Sequence, residues 1–206
     1  IINKMGYTTD FGGSFEFNRP LTTTEQDFIK KFNDTRRMKR DVSKLEKMYG
    51  GKHGSPIVVT YTPEMKERIK FLEDEGFQVV LTPIKDKRTM EEIYGVDGEY
   101  FVGASGHGGQ DHDTTIVNYN QPPSGQPGLW CQWTTNSRGT RLEWDGGEEF
   151  YSYVEWLEYL IEHFFSKWGV LLNGEVTWDG EDRNDKGKII VKDNEVIVKN
   201  AKITYE

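Results

Sequence analysis

Apolar and polar positions recur with a clear period along most of the chain. Gly13-Ser14-Phe15-Glu16-Phe17 alternates and predicts a strand that Pro20 ends. Thr22 to Thr24 then offers an N-cap, with Glu25 and Asp27 placing negative charge in the first turn. Phe28, Ile29 and Phe32 follow at helical spacing, so strand, turn and helix open the chain. Residues 38–49 are charged and helix-compatible, and Glu99 to Val102 reads as a strand. Leu129 to Thr134 alternates, with Trp130, Gln132 and Thr134 on one face and Leu129, Cys131 and Trp133 on the other. Asn136 to Gly139 is a hairpin turn, and Thr140 to Trp144 returns as a strand. After Asp145-Gly146-Gly147 comes the strongest helical stripe: Phe150, Tyr153, Val154, Leu157, Leu160, Ile161 and Phe164. Gly169 stops it, residues 170–178 form a strand, and a hairpin over Asp193-Asn194 follows. Lys202 to Tyr205 is a candidate last strand.

Between these elements lies a unit with its own punctuation. Gly50 to Ser55 is a joint, Pro56 to Tyr61 a β-branched run, and Thr62-Pro63-Glu64 a helix start. Met65, Ile69 and Leu72 line that helix, Gly76 ends it, and Phe77 to Thr82 is a second strand. Lys44–Gly50 and Thr89–Gly95 echo each other on either side. The predicted organisation is a main α+β domain, residues 5–50 plus 89–206, carrying an inserted strand–helix–strand subdomain at 51–88. Without the insert the order predicts a ferredoxin-like sheet with both main helices on one face and extra C-terminal strands.

Composition bounds the function. The 206 residues carry a net charge of −8, which argues against duplex DNA as a partner. The densest basic stretch, Arg36, Arg37, Lys39 and Arg40, reads as a solvated helix end. Aromatics reach 13%, so rings supply much of the core. A lone cysteine, Cys131, fits a reducing, cytoplasmic setting. No apolar run approaches the ~20 residues of a membrane span. The opening lacks the apolar region of a secretory signal, and Met5 is the candidate natural start.

Candidate chemistry gathers in the long loop from Gly103 to Gly128. His107, His112 and Asp113 are metal-ligating residue types in close sequence, suited to a divalent metal, though the spacing follows no zinc pattern. Gly103, Gly106, Gly108 and Gly109 offer backbone donors to a phosphate without a phosphate-loop ending. Cys131 reads better as a packed apolar residue than as a nucleophile. Glu143, Asp145, Glu148 and Glu149 crowd one turn, where Asp145 is expected to cap the helix. Tyr119, Asn120, Gln126, Trp130 and Trp133 belong to an extended, Pro-rich segment whose rings can stack on a base, a sugar or a proline.

Several of these runs carry a resemblance. Met5-Gly6-Tyr7-Thr8-Thr9-Asp10-Phe11, Thr35-Arg36-Arg37-Met38, Tyr119-Asn120 with Pro122-Pro123, Gln126 to Trp133, Glu143 to Glu148 and Tyr153 to Leu157 are involved. Together they resemble a family of uncharacterised proteins encoded by bacteriophages and by bacterial genomes, often as prophages. The resemblance covers residues 5–48 and 89–200, and the family runs on without residues 51 to about 95. It implies a host-cytoplasmic, phage-related setting and brings no catalytic residue. The leading expectation is a non-enzymatic accessory protein that binds a host or phage protein through residues 103–133. The alternatives are a metal- or nucleotide-dependent enzyme or ligand sensor sited on 103–113, and an engineered insertion chimera.

Overall fold

A computed structural model describes residues 6–56, 63–77, 79, 88–103 and 113–202. It is a mixed α+β structure built on a six-stranded antiparallel sheet. The strands are β1 (Thr9–Phe17), β4 (Trp133–Thr135), β5 (Arg141–Trp144), β6 (Leu172–Gly180), β7 (Lys186–Lys192) and β8 (Glu195–Asn200). Their order is β4-β5-β1-β6-β7-β8. A two-stranded sheet joins β2 (Lys39–Arg40) to β3 (Ile116–Asn118).

Period-two burial makes the large sheet one-sided. In β1, Phe15 and Phe17 are buried while Asp10 and Glu16 are exposed. In β6, Leu172, Val176 and Trp178 are buried; in β7, Ile189 and Val191. The other face is charged, with exposed pairs Glu16–Arg141, Glu175–Lys188 and Asp179–Lys186. Where β1 crosses β6 the backbones close in. A Cβ on Gly174 would lie 2.7 Å from the Ser14 carbonyl oxygen, at a φ of +145° that favours glycine.

Helix α1 (Thr23–Asp34) begins at the predicted cap: Thr22 and Glu25 form a reciprocal capping box. Helix α5 (Tyr153–Leu160) runs into a π-helical segment, Ile161–Phe165. The wider turn lets two successive rings pack in different directions. Phe164 lies against Phe28 of α1 at 5.0 Å between centroids, and Phe165 against Phe17 of β1 at 5.2 Å. Phe32 meets Trp156, and Phe11 of β1 meets Tyr153, so both helices share one aromatic core on the inner face.

A second, smaller core lies beside it. Helices α2 (Val42–Tyr49) and α4 (Met90–Tyr94), the two echoing segments, pack together with Leu45, Ile93, Tyr94 and Phe101 buried. Helix α3 (Pro63–Asp74) occupies the intervening stretch and stops at Gly76 as expected. The two strands expected around it fall largely outside the described residues, as does the end of the expected strand 202–205. The segment's borders adjoin: Ser55 N–H donates to the Ile93 carbonyl, and Arg88 Nη2 to the Ser55 carbonyl, each at 2.8 Å.

Four expectations need correction. Glu99 to Val102 is not a strand. A 3-10 turn at Val96–Gly98 precedes it, with Gly95 and Gly98 at positive φ, and Phe101 and Val102 are buried one in each core. Residues 38–49 are not one helix, because β2 comes first and Asp41 caps α2. The strand before the hairpin begins only at Trp133, though the alternation of buried and less buried residues from Cys131 to Thr135 holds. The main helix begins at Tyr153, so Asp145 does not cap it and Phe150 is buried ahead of it. The left-handed conformations of Glu149 (φ 58°) and Ser152 (φ 54°) hold the preceding turn out of helix.

The shared ring core sets the first prediction. Phe164→Ala should lower unfolding free energy by about 3–5 kcal/mol in urea titration, whereas Glu16→Ala on the charged face should change it by no more than ~0.5 kcal/mol.

Candidate functional site

After α1 the chain runs as a strap, residues 35–41, against segments that have little secondary structure of their own. Arg37 N–H donates to the Leu129 carbonyl, Lys39 N–H to Gln121 and Asp41 N–H to Thr115, each at 2.8 Å. Along the strap Thr35, Arg37, Met38 and Arg40 are all buried. Arg37 and Arg40 are buried, which corrects the expectation of a solvated basic helix end. Of the four basic residues, Arg36 and Lys39 are the two that reach the surface.

The inward guanidinium groups are held by different means. Arg37 Nη2 donates to the Phe101 carbonyl, and its charge lies 4.2 Å from the Phe32 ring centroid. Its Nε and Nη1 have no hydrogen-bond partner among the described residues, and burial pulls its pKa down to about 9. Arg40 Nη1 donates to Asp113 Oδ2 at 2.8 Å and to Thr115 Oγ1 at 2.7 Å, with its charge 4.3 Å from the Phe101 ring centroid.

Asp113 is therefore occupied. Oδ2 also accepts from the Tyr49 hydroxyl at 3.0 Å, and Oδ1 accepts from Thr115 N–H at 2.8 Å. Burial pushes its carboxyl up, but the Thr115 and Tyr49 hydrogen bonds and the Arg40 charge outweigh that and hold it below the usual carboxylate value. His107 and His112 lie outside the described residues, as do Gly106, Gly108 and Gly109. Among the described residues no three metal-ligating side chains converge. Cys131 is buried, and burial pushes its thiol up to about 12, the opposite of an activated nucleophile.

The five stacking candidates divide. Trp133 is 0% exposed and donates Nε1 to the Tyr153 carbonyl at 2.8 Å. Gln126 is buried too, donating to the Glu99 carbonyl at 2.6 Å and to the Tyr159 hydroxyl at 3.1 Å. Neither can meet a ligand from solvent. Tyr119, Asn120 and Trp130 stay at the surface and converge on Arg36. The Arg36 guanidinium lies 4.4 Å from the Tyr119 ring centroid and 6.0 Å from that of Trp130. Its Nε donates to the Tyr119 carbonyl at 3.3 Å and its Nη2 to Asn120 Oδ1 at 3.5 Å. Tyr119 is 47% exposed, so the platform offers a flat cation and a flat ring to solvent.

Trp130 and Arg36 also line a cleft of about 720 Å³, together with Gly128, Leu129, Asn33, Asp34, Gln132, Asp145, Glu148, Glu149 and Tyr151. Four acidic residues and one arginine are among its lining. Asp145 is fixed by hydrogen bonds from Asn33 Nδ2 and Gly147 N–H, both 2.7 Å. Gln132 is fixed by donating to the Glu148 carbonyl at 2.7 Å and accepting from Trp144 Nε1 at 3.1 Å. Asp145, Glu148 and Glu149 of the acidic cluster thus line a cleft and do not start a helix, while Glu143 belongs to β5. Arg36 had no mark separating it from its three basic neighbours. Its outward direction depends on which face of the strap packs inside.

The Arg40–Asp113 pair yields a test. Asp113→Asn removes a charged partner from the buried Arg40 guanidinium and should cost roughly 2–3 kcal/mol near neutral pH. Because the folded carboxyl titrates below its unfolded value of 3.8, this stability is present above that pH and lost as pH falls further. The difference between wild type and variant in urea titrations should therefore shrink below about pH 4.

No helix among the described residues is long and apolar enough to cross a membrane. Compared with known proteins, the chain matches no family model, no curated protein and no solved structure.

Proposed function

We propose that this chain is a phage- or prophage-associated accessory protein that acts by binding a host or phage protein, with Arg36, Tyr119, Asn120 and Trp130 as its contact platform. One observation carries the reading: the Arg36 guanidinium lies over Tyr119 and beside Trp130, at the edge of a cleft walled by Asp34, Asp145, Glu148 and Glu149. Aromatic and arginine side chains are the residue types that anchor protein interfaces. The carboxylates next to them favour a partner segment that brings a basic side chain into the cleft and an apolar or planar group onto the indole. The resemblance to phage-encoded proteins supplies the biological setting, and the net charge of −8 suits a basic partner.

The same proposal takes residues 51–88 as an insertion into the main domain. The adjoining borders at Ser55, Arg88 and Ile93 support this, as does the pairing of the echoing helices α2 and α4. It also takes the sheet as ferredoxin-like. The order β4-β5-β1-β6, with α1 after β1 and α5 after β5, supports that assignment, and β7 and β8 then extend one edge.

Affinity capture from a host lysate, followed by mass spectrometry, tests the platform. A partner retained by the wild-type chain should be lost, by about tenfold or more, with Arg36→Ala, Tyr119→Ala and Trp130→Ala, in line with interface anchors. It should be kept with Thr177→Ala on the opposite face of the sheet. A partner retained equally by all four variants would contradict the assignment.

A further inference from the structure

Strand β8 ends the sheet, and among the described residues nothing pairs with its outer side. Such an edge normally carries a blocking device. This one carries charge at Glu195 and Lys199 and between them exposes Ile197 (40%) and Val198 (45%). Its ladder to β7 defines which backbone groups remain free. The β7–β8 turn, Asp193-Asn194, has both residues at positive φ, a two-residue hairpin whose flanking pair, Lys192 and Glu195, is hydrogen-bonded. Ala201 N–H donates to the Lys186 carbonyl at 2.8 Å, in the same register. The odd-numbered residues of β8 therefore bond inward to β7. The N–H and C=O groups of Val196, Val198 and Asn200 point away from the sheet.

Charge along the strand is self-complementary. Lys199 stands across from Lys188, whose ammonium is taken by Glu175 at 2.8 Å. Lys199 thus faces a like charge inside its own sheet. Glu195 lies four residues earlier on the same face. Turning a second β8 antiparallel about Ile197 sets Glu195 opposite Lys199 at both ends of the pair. It also sets Val196 opposite Val198, where the outward backbone groups of each can bond the other. Opposite charges at a close, non-hydrogen-bonded pair and β-branched residues at the others are favourable cross-strand partners. A shift of two residues either way loses the charge match.

We propose that β8 is a self-pairing edge, through which two copies of this chain join antiparallel about Ile197 and fuse their sheets into one. The two Ile197 side chains meet on the outer face at the two-fold axis. Val196, which already packs against the main core, and Val198 meet their counterparts on the inner face. Such a small contact belongs with weak, concentration-dependent dimers, below about 1,200 Å² of buried surface.

Sedimentation of the full chain over a concentration series reaching roughly the millimolar range tests this. Wild type should shift reversibly from monomer to dimer. Glu195→Lys and Lys199→Glu should each weaken dimerisation about tenfold by setting like charges opposite each other twice, and the double exchange should restore it. Val198→Pro removes an N–H that β7 does not use, so it should abolish dimerisation while the thermal melt stays cooperative. A monomer at every concentration would overturn the proposal. So would a dimer unaffected by Val198→Pro, or one that the double exchange fails to restore.

Discussion

Two guanidinium groups inside the protein, Arg37 and Arg40, constrain everything that surrounds the candidate site. Taking a cation out of water is costly, and the cost is offset only by close partners. Arg40 has a carboxylate, a hydroxyl and a ring. Arg37 has one carbonyl and a ring, and two of its donor atoms are unmatched among the described residues. Phe101 serves both, its carbonyl accepting from Arg37 and its ring lying under Arg40. The segments around Phe101 and Asp113 have little regular structure, and these contacts hold them against the strap that leaves α1. A buried ion pair is seldom a net source of stability, but it penalises alternative packings that leave the charge alone.

The strap also links the interior to the surface. Arg36, Arg37 and Arg40 share a few residues of chain, yet only Arg36 turns outward, and it does so where Tyr119 and Trp130 lie within reach. The position of Tyr119 follows from the same contacts. Lys39 N–H donates to the Gln121 carbonyl, and β2 pairs with β3 immediately before Tyr119. The one-sided sheet supplies the rest of the frame. Its inner face holds α1 and α5 through interlocking rings, and so anchors the cleft wall that runs from Asp145 to Tyr151.

What was legible in the sequence was local. Thr22 and Glu25 announce a capping box, and Asp193-Asn194 a tight hairpin, because each signal needs only neighbours a few residues away. The stripe of α5 was legible for the same reason, but its start was not. The departure at Glu149 and Ser152 is a left-handed backbone that neither residue type advertises. The strand β3, three residues long, depends on a partner some 80 positions away. Alternation assigned Trp130 and Trp133 to opposite faces correctly, while leaving open which face was buried. Tyr119 and Trp130 therefore emerged as site residues together with Trp133 and Gln126, which belong to the interior. Arg36 and the cleft carboxylates were visible only as charge, because their role depends on tertiary direction.

The buried Arg37 guanidinium organises the irregular segments that carry the platform. Amide hydrogen exchange on the folded chain, comparing wild type with Arg37→Met, tests this directly. Faster exchange confined to residues 99–103 and 113–121, with β1, β6 and β7 unchanged, is the predicted result. Unchanged exchange in those segments, or an equal rise throughout the six-stranded sheet, would contradict it.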